Sequence, residues 1–180
     1  TLDKINENAS IAPYLKNILS DAERLEAIVK VVNEYMGIAT AEPVNVSISD
    51  MIEEEVSRLQ IKTVELSKRV NWSLNFSDVA FPVDPALFRR AIYEVLLNAL
   101  EFLEGDEGSV GIFLSEEDGL SMEIVDNGIG ISVSDLPYVF DPFFTTKAVG
   151  VGMGLCLVRR IVGEHGGHVR IDSKPGKGAK

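Results

Sequence analysis

The chain has one cysteine, Cys156, so it can form no internal disulfide, and no Cys/His spacing in it resembles a zinc site. This fits a reducing compartment, and the expectation is a cytoplasmic domain. No apolar run approaches the roughly 18 residues of a membrane span, and the first residues lack the basic-then-apolar order of a signal peptide. A membrane anchor, if the parent protein has one, would lie upstream. Basic residues are also scarce. With 17 Lys and Arg against 28 Asp and Glu, the formal charge is −11, which argues against a nucleic-acid partner because phosphate backbones need clustered cations. Only two histidines occur, His165 and His168, and both flank a Gly-Gly turn. Neither has an acidic or Cys partner nearby in sequence, which favours structural over catalytic roles. Cys156 lies among apolar helical neighbours and reads as a packed thiol.

What is present divides in two. From Ile18 to Met36 the residues Ile18, Ala22, Leu25, Val29, Val32 and Met36 recur at spacings of four and three, with Ile28 and Tyr35 widening the stripe. That is the seam of a coiled coil or helical bundle, preferred here over a helix packed on its own domain because Gly37 and Pro43 close it before the compact part begins. Thr1 to Ser10 is polar and is expected to be a loose lead-in. These features predict a helical region over 1–42 and a compact domain over 43–180.

In the second region, Val44, Val46 and Ile48 alternate as a strand, and Asp50 is the expected cap of a helix to about Leu66. Two short strands follow, Val70 to Phe76 and Val79 to Val83. Asp84-Pro85 signals a helix start, with Asp as N-cap and Pro in the first turn, and that helix should reach about Glu104. Gly105 and Gly108 break it. Val110 to Leu114 and Leu120 to Val125 then read as a hairpin around Glu117-Asp118-Gly119. Asn127 to Val151 has little regular pattern, and an irregular segment this long usually serves a function. A helix from Gly152 to Glu164 and a strand from Val169 to Ser173 complete the reading. The fold class expected is α+β, a two-layer α/β sandwich whose mixed sheet is covered on one face by helices, preceded by a long helix.

The chemistry-bearing residues gather at element boundaries. Glu94, Asn98 and Phe102 lie four apart on one helical stripe. The Asn98 amide oxygen suits Mg²⁺ and is equally explicable as an ordinary helix Asn. Glu94 could orient water or be an exposed carboxylate, and Phe102 could lie against a purine ring or pack in the core. Asp126 ends an apolar strand and could accept a hydrogen bond from an exocyclic amine or serve only its turn. Gly128 and Gly130 permit close backbone approach or supply positive φ. Lys147 is the one cation of the irregular segment, suited to a phosphate or to solvent. Phe140, Phe143 and Phe144 are too apolar for a polar loop and are expected to anchor it. Gly150, Gly152 and Gly154 precede an apolar helix and leave N–H groups free for an anion.

These stretches resemble four ordered boxes. Glu94-Val95-Leu96-Leu97-Asn98-Ala99 is similar to an Asn box, and Asp126-Asn127-Gly128-Ile129-Gly130 to a first glycine box. Phe140 to Lys147 is similar to a Phe box, and Gly150-Val151-Gly152-Met153-Gly154-Leu155 to a second glycine box. Together they resemble the catalytic ATP-binding domain of bacterial two-component sensor histidine kinases, of the Bergerat-fold ATPase group, from about Pro43 onward. The preceding helix looks like the second helix of that family's dimerisation and phosphoacceptor hairpin.

The resemblance implies ATP and Mg²⁺ as cofactors, with Mg²⁺ on Asn98, the adenine amine on Asp126 and ring stacking at Phe102. It further implies nucleotide contacts from Gly128, Gly130, Ile131, Lys147, Gly150, Gly152, Gly154 and Leu155, with Glu94, Asn98 and Lys147 in catalytic roles. Transfer of the γ-phosphoryl to a hairpin histidine, relay to a response-regulator receiver domain, and homodimerisation through the hairpin follow from the same likeness. An ATPase or serine kinase of the same fold, and a non-catalytic nucleotide-binding dimerisation module, are the other readings. The chain departs from the pattern in having no histidine before His165, in carrying Glu101 where many relatives have lysine, and in having Val151 and Ala179 at frequent threonine positions. The family's pattern would also place a further strand after Lys180.

Overall fold

The computed structural model describes residues 2–38, 40–117, 119–147 and 150–180, with side chains from residue 11 onward. Helix α1 spans Leu2–Gly37. The expected loose lead-in is therefore helical from Leu2: adding residues to an existing helix costs far less than nucleating one, so the polar residues follow the rest. Along α1 the two predicted uses of the helix separate. Ile18, Leu25, Val29 and Met36 are exposed, each more than half, so most of the seam is left uncovered by the described residues, while Ile28, Val32 and Tyr35 are part-buried. Ile38, just past the helix end, is buried with Ala91, Leu157, Val158 and Ile161, and Tyr35 packs against the same cluster.

The remaining elements are β1 Val44–Ser47, α2 Ile48–Glu65, β2 Arg69–Asn75, β3 Ala80–Val83, α3 Pro85–Glu101, β4 Glu107–Ser115, β5 Ser121–Asp126 and α4 Gly154–Glu164, with a short 3₁₀ turn at Leu136–Tyr138. β1 pairs antiparallel with β3. β4 lies between a parallel partner, β2, and an antiparallel one, β5, so the larger sheet is mixed. Ile48, Ile52 and Leu59 of α2 and Ile92, Leu96 and Leu100 of α3 bury themselves against Val110 and Ile112 of β4, forming the helix layer and sheet layer that the sequence predicts.

Local chemistry explains most boundaries. Asp84 caps α3 through Oδ1, which accepts from the Ala86 and Leu87 N–H groups at 3.1 Å, with Pro85 in the first turn. At the other end the Lys68 ammonium donates to the carbonyls of Leu100 (3.1 Å), Glu101 (3.3 Å) and Leu103 (2.7 Å), which places a cation on the negative pole of the helix. Three assignments change. The cap of α2 is Ser47, whose Oγ accepts from Asp50 N at 3.1 Å; Asp50 itself lies in the first turn, so Ile48 belongs to the helix. Val169 to Ser173 forms no strand. The chain folds back there through Gly176, and pairing is limited to a Ser173–Ala179 bridge and the reciprocal Asp172 and Lys180 bonds. Gly108 is no breaker either, since it sits in β4 opposite Val70. Asp118 of the expected hairpin turn, and Ala148 and Val149 of the irregular segment, lie outside the described residues.

The histidine reading holds for His165. Its Nε2 accepts from Asp84 N at 2.8 Å, so Nδ1 carries the proton and donates to the Ile161 carbonyl at 2.8 Å, while the ring meets Phe88 edge-on. Both nitrogens are thereby used in tying α4 to the start of α3. Cys156 is buried, with Sγ 3.2 Å from the Met153 carbonyl, and burial pushes its thiol pKa up, as suits an unreactive packed group.

Candidate functional site

A cavity of about 640 Å³ opens between α3, the end of β5, the irregular segment and the start of α4. Of the residues singled out in the sequence, Glu94, Asn98, Phe102, Asp126, Gly130, Ile131, Lys147, Gly150, Gly152, Gly154 and Leu155 all line it. Of the residues given nucleotide, metal or catalytic roles by the resemblance, Gly128 alone does not. It is buried behind Asp126, where its N–H donates to Asp126 Oδ1 at 2.8 Å, and a Cβ there would lie 2.3 Å from the Phe102 carbonyl oxygen.

Asp126 stands at one end, held by backbone. Oδ1 accepts from Gly128 N and, at 3.3 Å, from Ala179 N. Among the described residues Oδ2 has no donor from the protein, which leaves it for a ligand. Burial pushes the Asp126 carboxyl above the usual carboxylate range, and the two N–H bonds oppose that only in part. The approach of the 173–180 turn makes this arrangement possible. Gly178, at φ +75°, brings its backbone so close that a Cβ would lie 1.9 Å from the Asp126 carbonyl oxygen. Ser173 Oγ braces the same corner, accepting from Ile131 N at 2.9 Å and donating to the Gly178 carbonyl at 2.6 Å.

At the other end the arrangement is made of charges. The Lys147 ammonium donates to Asn98 Oδ1 at 2.7 Å, is ion-paired with Glu101, and lies 4.8 Å from the centre of the Phe102 ring. Asn98 Oδ1 therefore already holds a cation, so its position and its hard oxygen fit a divalent metal ion. Glu94, one turn earlier, is 15% exposed in its side chain and pairs with Arg90 at 2.9 Å; Arg90 in turn reaches Glu34 of α1 at 3.1 Å. Burial pushes the Glu94 carboxyl up, while Arg90 and Lys147 pull it down. The start of α4 abuts it, since a Cβ on Gly154 would meet Glu94 Oε2 at 2.5 Å.

The aromatic anchor of the irregular segment is smaller than expected. Phe140 is half-buried under the Arg159 guanidinium (5.7 Å) and Phe144 packs beside Tyr138 (6.0 Å between ring centres), but Phe143 is 57% exposed. At φ +67° Phe143 presents its backbone rather than its ring to the domain, in contact with Gly152, where a Cβ would lie 2.6 Å from the Phe143 carbonyl carbon. The residues to which the sequence reading gave no site role are Arg90, Ser173, Gly178 and Ala179. Gly178 carried a visible signal, a glycine in the Lys174-Pro175-Gly176-Lys177-Gly178 turn, and Ala179 only that of standing at a frequent threonine position.

Comparison with known proteins identifies the family and the fold. Residues 83–180 match the family model described as histidine kinase-, DNA gyrase B-, and HSP90-like ATPase. The signal transduction histidine-protein kinase AtoS of Escherichia coli K12 is 30% identical over 172 residues, covering 92% of this chain and 28% of AtoS, so the chain spans under a third of that relative. Among solved structures, the mycobacterial sensor histidine kinase MprB superposes with a TM-score of 0.67 at 26% identity, over 77% of this chain and 93% of that one. The fold is shared also with histidine kinase ThkA in its complex with response regulator protein TrrA, at a TM-score of 0.73 and 22% identity, over 92% of this chain and 48% of that one. With the matched model covering residues 83–180, more than half of its length, the chain belongs to the histidine kinase-, DNA gyrase B-, and HSP90-like ATPase family.

Proposed function

We propose that this chain is the ATP-binding catalytic part of a sensor histidine kinase, passing the γ-phosphoryl group of ATP to a histidine on a dimerisation hairpin for relay to a response regulator. Residues 43–180 would form the catalytic domain and 1–42 the second hairpin helix, whose exposed Ile18, Leu25, Val29 and Met36 would meet the rest of a dimeric bundle. The acceptor histidine would come from outside this sequence, which has none before His165. The observation that carries the reading is one cavity joining the free Asp126 Oδ2 to the Asn98 and Lys147 pair.

In this reading Asp126 accepts the adenine amine, Phe102 faces the ring, and Gly130, Ile131, Gly152, Gly154 and Leu155 shape the wall. Gly128 acts indirectly by fixing Asp126. Lys147 and the N–H groups before α4 meet the phosphates. Mg²⁺, held by Asn98 Oδ1, would neutralise phosphate charge when bound. The acceptor imidazole nitrogen attacks the γ-phosphorus, forming an N–P bond as the P–O bond to ADP breaks. Glu94, in its ionised form, takes the imidazole proton. The chain's contribution is mostly positioning and charge compensation.

A titration with ATP and Mg²⁺ should show binding that weakens strongly in Asp126→Asn and Asn98→Ala, and a supplied histidine-bearing hairpin should become phosphorylated. Equal affinity in both variants would sink the site assignment. The half-buried Glu94 carboxylate also suits a second reading, in which it activates water. Steady hydrolysis lost in Glu94→Ala, with no transfer to the hairpin, would select that ATPase or serine-kinase role. Binding with neither reaction would indicate a non-catalytic nucleotide-binding module.

A further inference from the structure

We propose that Glu101 is a specificity-determining residue that makes ATP binding conditional on an accompanying divalent cation. The inference rests on the nucleotide reading above and concerns a residue to which that reading gives no role. Glu101 closes α3 one turn after Asn98, and both residues hold the same ammonium: Lys147 Nζ lies 2.7 Å from Asn98 Oδ1 and is ion-paired with Glu101. The side chains of Lys147 and Glu101 are only 25% and 31% exposed, so water screens this pair less than a free surface pair. Phe102 covers one side of the ammonium and adds no negative charge.

The charge balance decides the consequence. Four carboxylates, Glu94, Glu101, Asp126 and Asp135, line the cavity with three cations, Arg90, Lys147 and Lys180, of which Lys180 is paired with Glu123 at 2.8 Å. Arg90 is spent on Glu94 and Glu34, and Lys147 on Glu101. A polyphosphate without metal can gain Lys147 only by taking it from Glu101 or by sharing it, and either way a second negative group stands beside an uncompensated carboxylate. One ammonium cannot neutralise both. A divalent cation arriving with the phosphates on the Asn98 oxygen supplies the missing charge, leaving Lys147 to serve phosphate and Glu101 together. Neutralising Glu101 should remove much of this requirement, because Lys147 is then unpaired before the nucleotide arrives.

The test is calorimetric binding of ATP to the 180-residue chain in excess MgCl₂ and in EDTA, for the unaltered protein, Glu101→Gln and Glu104→Gln. Glu104 is an exposed carboxylate just past α3 that does not line the cavity, so it reports removal of a charge in general. The expected result is a large affinity ratio between the two conditions in the unaltered chain and in Glu104→Gln, narrowed roughly tenfold in Glu101→Gln mainly through tighter binding in EDTA. An unchanged ratio in Glu101→Gln, or equal narrowing in Glu104→Gln, overturns the proposal while leaving the nucleotide site standing. Absence of ATP binding in every protein under both conditions overturns the nucleotide reading and this inference with it.

Discussion

Asp126 and Lys147 face one cavity from opposite ends and are held there by different physics. Asp126 is fixed by main chain: two N–H donors and a glycine turn pressed against its own carbonyl leave its carboxylate almost no freedom. Lys147 is fixed by side chains, at the end of a flexible stem, through an ammonium shared by Asn98 and Glu101. The first arrangement suits recognition of a rigid, uncharged group whose hydrogen-bond pattern is constant. The second can exchange partners, which a site receiving a polyanion and a cation together needs.

The sharpest way to break the Asp126 end is Gly178→Ala. A Cβ 1.9 Å from the Asp126 carbonyl oxygen, at φ +75°, cannot be accommodated by a rotamer change, so the turn must leave. The expected cost is about 2 kcal/mol or more of stability by chemical denaturation, with ATP affinity lost beyond measurement. Asp126→Asn should fold normally and lose about ten- to a hundredfold in ATP affinity, the range for a hydrogen bond to a charged acceptor. On the proposed reading the unaltered protein should also lose affinity as pH falls, because the adenine amine would then meet a protonated carboxyl. Burial raises the Asp126 pKa, so the loss should begin at a higher pH than an ordinary Asp near 3.9 would give; a flat profile in Asp126→Asn would confirm the source.

At the other end, Lys147→Met should weaken ATP about tenfold, and 0.5 M salt should erase most of that difference while leaving the Asp126→Asn effect in place. Equal salt sensitivity at both ends would remove the contrast. The smallest effect belongs to the scaffold they share. Asp84→Ala removes the α3 cap and should cost about 1 kcal/mol with ATP affinity unchanged. The N–H bonds from Leu87, Glu42 and Ala86 hold the Asp84 pKa below its ordinary value. Its contribution is therefore fully present above about pH 4 and lost as pH falls through the lower folded value, so the two proteins should converge in acid.

Sequence reasoning was strongest where the chemistry is local. The α3 start at Asp84-Pro85 needs only an oxygen two and three residues from its donors and a ring that wants no N–H, so those two residue types were sufficient to place it. The Glu94, Asn98 and Phe102 stripe follows from helical periodicity alone, and all three do line the cavity. Reading failed where a partner comes from far along the chain. Nothing near Asp126 indicates that Ala179 donates to it from 53 residues away, nor that the 169–173 segment would stop short of a strand for lack of a continuous ladder. Phe143 failed for a backbone reason: its hydrophobicity argued for burial, but a positive φ turned the ring outward.

By itself the sequence determined most element types, the capping of α3, the mixed two-layer character and a chemically distinctive subset of the residues at the cavity, because periodicity, caps and glycine turns act over a few residues. Only the tertiary structure decided which charges meet. Whether Lys147 rests on solvent, on Asn98 or on Glu101, and whether Arg90 joins α1 to Glu94, depends on distances between elements that short-range pattern does not encode. Electrostatic pairing falls off over a few ångströms in this partly wet site, so such roles emerge only after the core has set those distances.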